Sequence, residues 1–146
     1  MTRTEPIVLD IRSIAAGGEG VARDADGRVV SLCEADPEAV ESGREVAVAA
    51  GAEVEFLAER VEDRIRDLLP ADVIVVNPPR RGLAREVTEV LADARATGIA
   101  YVSCDPATLA RDVSRLGERW RVRSVTPFDA FPQTAHVEVI AWLERT

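Results

Sequence analysis

Along most of this chain, apolar positions follow two alternating rhythms. Short, largely apolar runs at 54–57, 73–76 and 99–103 have the length of strands, and the unbroken β-branched run Val73-Ile74-Val75-Val76 suits one buried on both faces of a sheet. Between them lie longer stretches with spaced apolar residues, which predict helices over 37–50, 61–69, 84–96 and 106–116. Two of these helices open on Asp-Pro, at Asp36-Pro37 and Asp105-Pro106, pairing an N-capping acid with a proline suited to the first helical position; Pro70 stops the second helix. Such alternation predicts a parallel sheet with crossover helices. Two further strands, at 120–127 and 136–143, close the chain. Before Glu34 the grammar is that of hairpins: an apolar run at 7–14, turns at 17–20 and 24–27, and a strand at 28–33. Neither an internal repeat nor a low-complexity linker is visible.

Composition narrows this picture. A chain of 146 residues fits one domain, and 47% apolar residues can fill a core. No run is long enough to span a membrane, and the first residues lack the basic-then-apolar profile of a signal peptide, so a cytoplasmic protein is expected. Two cysteines, Cys33 and Cys104, exclude a disulfide framework, a four-cysteine zinc site and a four-cysteine iron–sulfur cluster. The net charge of −8 argues against nucleic acid until it is divided: residues 34–76 carry −8, whereas residues 77–123 carry +3. A phosphate-facing surface is therefore admissible after Asn77. All 18 basic residues are arginine, while Asn77, Gln133 and His136 are each the sole residue of their kind.

Candidate chemistry gathers after strands. Glu34, the loop Asn77-Pro78-Pro79-Arg80-Arg81-Gly82 and Cys104 each follow a predicted strand, and in a parallel sheet they share the carboxyl edge, where ligands bind. An acid in the position of Glu34 commonly takes ribose hydroxyls; a solvated loop acid is an equal alternative. Cys104 precedes a capped helix whose positive end stabilises an anion, which favours a nucleophile over an inert core thiol. Cys33, inside a strand, reads as core. His136 and Glu138 fall on one face of the last strand. A structural role is the simpler reading for the histidine, whereas a carboxylate in so apolar a strand is costly without a function.

Three segments carry a family resemblance. They are Val76-Asn77-Pro78-Pro79-Arg80-Arg81-Gly82, Tyr101-Val102-Ser103-Cys104-Asp105-Pro106-Ala107-Thr108-Leu109-Ala110-Arg111-Asp112 and Asp129-Ala130-Phe131-Pro132-Gln133-Thr134-Ala135-His136-Val137-Glu138. In this order they resemble the C-terminal motifs of the S-adenosylmethionine-dependent RNA 5-methyluridine methyltransferases, over residues 28–145. The Asn-Pro-Pro-Arg-Arg-Gly form is most similar to members that modify ribosomal RNA. Residues 11–30 resemble the opening of a TRAM domain, a small RNA-binding β-barrel. The implied organisation is a partial TRAM-like β segment over 1–30 and the C-terminal part of the catalytic domain over 31–146. The implied fold is α/β, a class I methyltransferase (Rossmann-like) sheet lacking its usual first strand, with an N-terminal β-hairpin at an edge or loosely attached. Alternatively, the apolar run ending at Asp10 replaces that strand, in parallel.

The resemblance also implies chemistry. Cys104 matches the nucleophile that adds to uracil C6, and Glu138 the base that removes the C5 proton. Glu34 matches the acid on the donor ribose, and Asn77 a position near donor and target base. Arg80, Arg81, Gln133 and His136 are the expected RNA contacts. The implied cofactor is S-adenosylmethionine, with no metal or iron–sulfur cluster. The implied partner is RNA, unstacked at the target uridine, with no membrane. Three outcomes are compatible: an active enzyme whose missing strand comes from a homodimer or partner, an inactive internally deleted remnant, or an RNA-contacting fragment without donor binding. Incompleteness of the barrel and net acidity disfavour a stand-alone RNA-binding module.

Overall fold

The computed structural model describes residues 19–21, 30–51, 54–129, 133 and 137–146. Seven strands form one sheet: Glu19–Val21 (β1), Val30–Cys33 (β2), Val54–Leu57 (β3), Val73–Val76 (β4), Gly98–Ser103 (β5), Trp120–Phe128 (β6) and Glu138–Arg145 (β7). Their spatial order is β3-β2-β1-β4-β5-β7-β6. Strands β2 and β3 are parallel, as are β4 and β5, while β1 is antiparallel to both β2 and β4. All four of β2–β5 therefore run the same way. Strand β7 runs against β5 and β6.

The helices start where the capping chemistry predicts. Pro37–Ala50 (α1) opens with the Asp36 side chain accepting from the Glu38 amide, and ends at Gly51 in the left-handed region, whose N–H reaches the carbonyls of Ala47 and Val48. Pro106–Leu116 (α4) opens with Asp105 accepting from the amides of Ala107 and Thr108. Between them, Val61–Arg64 (α2) and Arg85–Asp93 (α3) are shorter than expected. After α2 the chain continues in turns, with the amides of Asp67 and Leu68 donating to the Arg64 carbonyl, and delivers Ile65 into the core.

One face of the sheet packs on α3 and α4. The period-two residues Ile74, Val76, Ile99, Tyr101, Ala141 and Leu143 meet Val87 and Leu91 of α3 and Leu109 and Leu116 of α4. Trp120 joins this core and donates its indole N–H to the Leu91 carbonyl at 3.0 Å. At Gly98, a side chain would overlap the Trp142 ring, so glycine is required for β5 and β7 to pack there.

The N-terminal expectations are corrected. Glu19 and Gly20, read as part of a turn, belong to a strand; the hairpin lies neither at an edge nor loosely attached, since β1 occupies the centre of the sheet. The slot expected to be empty, or filled by a partner chain, is thus filled by this chain's own β1, and in the antiparallel sense. Hydrogen bonding explains it: a slot between β2 and β4 leaves two ladders of N–H and C=O groups unpaired, and three residues of backbone in either direction can pair them. The alternative strand ending at Asp10 lies outside the described residues.

Candidate functional site

Topology brings the predicted positions to one edge. Because β2–β5 are parallel, Glu34, Asn77 and Cys104 all leave the sheet on the same side, and the reversed β7 enters there with Glu138. Ser103 opposes Val139, so continuing the antiparallel register by one residue sets Cys104 opposite Glu138. Cross-strand neighbours of this kind lie about 5 Å apart at Cα. Glu34 and Asn77 flank the central slot, since Cys33 opposes Glu19 and Val75 opposes Gly20. Two strand spacings, about 10 Å, separate their strands.

Each side chain has a distinct setting. Glu34 is 5% exposed; its Oε1 accepts from the Asp36 amide at 2.8 Å, while its Oε2 has no hydrogen-bond partner. Beside it lies a cavity of about 110 Å³ lined also by Cys33, Ala35, Arg60, Val61, Pro79 and Arg81. A buried carboxylate oxygen without a donor costs free energy, and hydroxyl groups of a ligand would relieve it. Cys104 is a half-buried free thiol directly before the α4 cap. Asn77 and Glu138 are half-buried, and Arg80 and Arg81 are exposed on the loop that closes with the Gly82 amide donating to the Pro79 carbonyl. Gln133 is exposed with a φ of 68°. His136 lies outside the described residues. Cys33 is buried and donates to the Glu59 carbonyl, as befits a core residue.

Asp112 was not singled out for any role, yet it organises the loop. Fully buried on α4, its carboxylate accepts at Oδ2 from the Leu83 amide and the Tyr101 hydroxyl, both at 2.7 Å, and at Oδ1 from Arg111 and Arg115. The sequence did hold a signal: Leu109, Asp112, Val113 and Leu116 share the apolar helical spacing, so one acid stands on a buried face.

Comparison with known proteins bears on this edge. Residues 41–146 match the family model for tRNA (uracil-5-)-methyltransferases. The chain belongs to this family. An RNA methyltransferase of Gloeobacter violaceus is 45% identical over 121 residues, covering 82% of this chain and 26% of that protein. One of Listeria monocytogenes is 37% identical, covering 74% and 25%. The crystal structure of Pyrococcus abyssi tRNA (uracil-54, C5)-methyltransferase in complex with S-adenosyl-L-homocysteine superposes with a TM-score of 0.72 at 33% identity, over 80% of this chain and 29% of that one. An rRNA methylase from Streptococcus thermophilus, 16% identical with a TM-score of 0.57, shares the fold. The fold is thus the α/β sheet of class I methyltransferases, and the chain spans about a quarter of the length of the relatives from Gloeobacter and Listeria. Among the described residues, no helix is long and apolar enough to cross a membrane, and no cluster of three metal-binding side chains occurs.

Proposed function

We propose that this chain carries the catalytic edge of an S-adenosylmethionine-dependent RNA uracil-C5 methyltransferase, acting in the cytoplasm on a uridine of ribosomal RNA. The observation that carries the reading is the β5–β7 register, which sets Glu138 against Cys104 at the edge shared with Glu34 and Asn77. Uracil C5 is a poor nucleophile. Cys104 adds as thiolate to C6, moving the ring electrons towards C5 and O4; once C5 carries the new methyl group, Glu138 takes the C5 proton, and the returning electrons expel Cys104 from C6.

Glu34 fits the donor, because it lines a cavity and its buried Oε2 lacks a hydrogen-bond donor that ribose hydroxyls would supply, with Asn77 on the other side of the central slot. S-adenosylmethionine, when bound, supplies the methyl group that C5 receives. Arg80, Arg81, Gln133 and His136 hold the RNA around the unstacked base. The choice of ribosomal RNA rests on the Asn-Pro-Pro-Arg-Arg-Gly form of the loop. Residues 1–30 are read as derived from a TRAM-like segment, and 31–146 as the C-terminal part of the catalytic domain.

One observation favours a second reading, an inactive remnant. Since β1 is reversed, its C-terminal end, Val21, lies at the edge opposite Glu34, Asn77 and Cys104, whereas ligands of such sheets bind at the edge where the parallel strands end. Calorimetric titration of the chain with S-adenosylmethionine separates the two. Saturable one-to-one binding that is weakened by Glu34→Gln supports the enzyme, and methyl transfer to a uridine-containing ribosomal RNA fragment should then vanish in Cys104→Ala. A folded chain that does not bind the donor is the remnant.

A further inference from the structure

Buried carboxylates seldom stabilise a fold better than an apolar group of the same size, so a fully buried one that the reaction does not use calls for an explanation. Asp112 is such a group, and its donors come from three separate parts of the chain. Tyr101 belongs to β5, which leads into Cys104; Arg111 and Arg115 belong to α4; the Leu83 amide belongs to the end of the loop that follows β4. Arg111 extends the network, donating from Nη2 to Asp112 Oδ1 at 2.9 Å and to the Arg81 carbonyl at 2.6 Å. Gly82, with a φ of 75°, passes so close that a Cβ there would overlap both the Asp112 carboxylate and the Arg111 guanidinium. Three consecutive loop residues, Arg81, Gly82 and Leu83, are therefore held against α4 by one acid and its arginine. Arg81 meanwhile lines the cavity beside Glu34.

We infer that Asp112 is the positioning residue of this edge: through Arg111 and the Leu83 amide it fixes the loop so that Arg81 stands at the rim of the Glu34 cavity, facing phosphate of the bound RNA. The inference about RNA rests on the function proposed above; the inference about the loop does not. Among the backbone bonds outside helices and strands, the loop has one internal turn bond, from the Gly82 amide to the Pro79 carbonyl, and the Leu83 side chain packs in the core; the bonds to Asp112 and Arg111 are what tie Arg81 and the Leu83 amide to α4. Asp112 thus joins the loop that lines the donor cavity to the helix that starts beside Cys104.

The test uses Asp112→Asn and, since removal of a buried charge can unfold a chain, also Arg111→Gln, which cuts the link to Arg81 at a half-exposed side chain. Amide hydrogen exchange is measured on the whole chain. In both variants exchange at residues 80–83 should rise about tenfold or more, with β5 and α3 amides unchanged. Loop amides that keep their protection, or a loosening spread evenly over the sheet, would overturn the inference.

A second measurement is the affinity for a fluorescein-labelled uridine-containing RNA hairpin, in a cycle with Arg81→Gln. Each of Asp112→Asn and Arg81→Gln should weaken binding by roughly threefold to tenfold and lower the salt dependence by about one phosphate contact. In the double variant, the Asp112 change should add nothing further. Additive effects would overturn the route through Arg81, because a general loss of structure weakens binding in either background. If the parent chain binds no RNA, the part of the inference that concerns phosphate fails together with the proposed function, while loop exchange still decides whether Asp112 positions the loop.

Discussion

Gly82→Ala should damage this protein far more than Gly51→Ala, although both glycines sit in the left-handed region, at φ values of 75° and 66°. At Gly51 an added Cβ has no neighbour within 4 Å, so the change costs only the backbone strain of a left-handed alanine, about 1 kcal/mol. At Gly82 the same strain applies, and the Cβ would also overlap Asp112 Oδ2 and Arg111 Nη2 while lying 3.2 Å from the Thr108 Cβ. Relief requires the carboxylate to move off the Leu83 amide and the Tyr101 hydroxyl, and leaving one such buried group unsatisfied costs about 1–3 kcal/mol. The expected total for Gly82→Ala is about 3 kcal/mol, against about 1 kcal/mol for Gly51→Ala. Urea unfolding followed by tryptophan fluorescence measures both, with buried Trp120 contributing to the signal. Thermal midpoints should fall by about 10 °C for Gly82→Ala and by a third of that for Gly51→Ala. If the two losses agree within about 0.5 kcal/mol at unchanged denaturant dependence, the close approach of the loop to Asp112 has no energetic weight and the reasoning fails.

Other outcomes follow from single features. Glu34→Gln should raise the stability of the unliganded chain by about 1 kcal/mol, because a buried amide loses less hydration than a carboxylate with an unpartnered oxygen; equilibrium unfolding would show it, and a loss would mean that Oε2 is satisfied in solution. Asp105→Ala removes the acceptor of two helix amides and should cost about 1 kcal/mol, read as a lower urea midpoint. Placing alanine at Gly98 should push the Trp142 ring aside at a cost of about 1–3 kcal/mol, visible as a loss of near-ultraviolet dichroism and a lower melting temperature. An unchanged melting temperature would show that β5 and β7 are not packed so closely.

What could be read in advance was whatever depends on neighbours along the chain. Asp36-Pro37 and Asp105-Pro106 mark helix starts because capping involves residues two or three apart, and Val73–Val76 shows itself as a strand by its own apolar run. Glu34, Asn77 and Cys104 could be placed on one edge because parallel strands share their ends, provided that the crossover rhythm was recognised. Other features needed the tertiary structure. Glu19–Val21 is three residues long, too short for any period, and becomes a strand only because β2 and β4 leave a gap lined with unpaired backbone groups. Register is equally invisible in the sequence: Glu138 opposes Cys104 because the ladder ends at Ser103 and Val139, and a slip of one residue would turn its side chain to the other face. Asp112 shows the same division. Its place on an apolar helix face was legible, but the donors that justify it come from positions 83 and 101 as well as from its own helix, and only the folded chain brings them together.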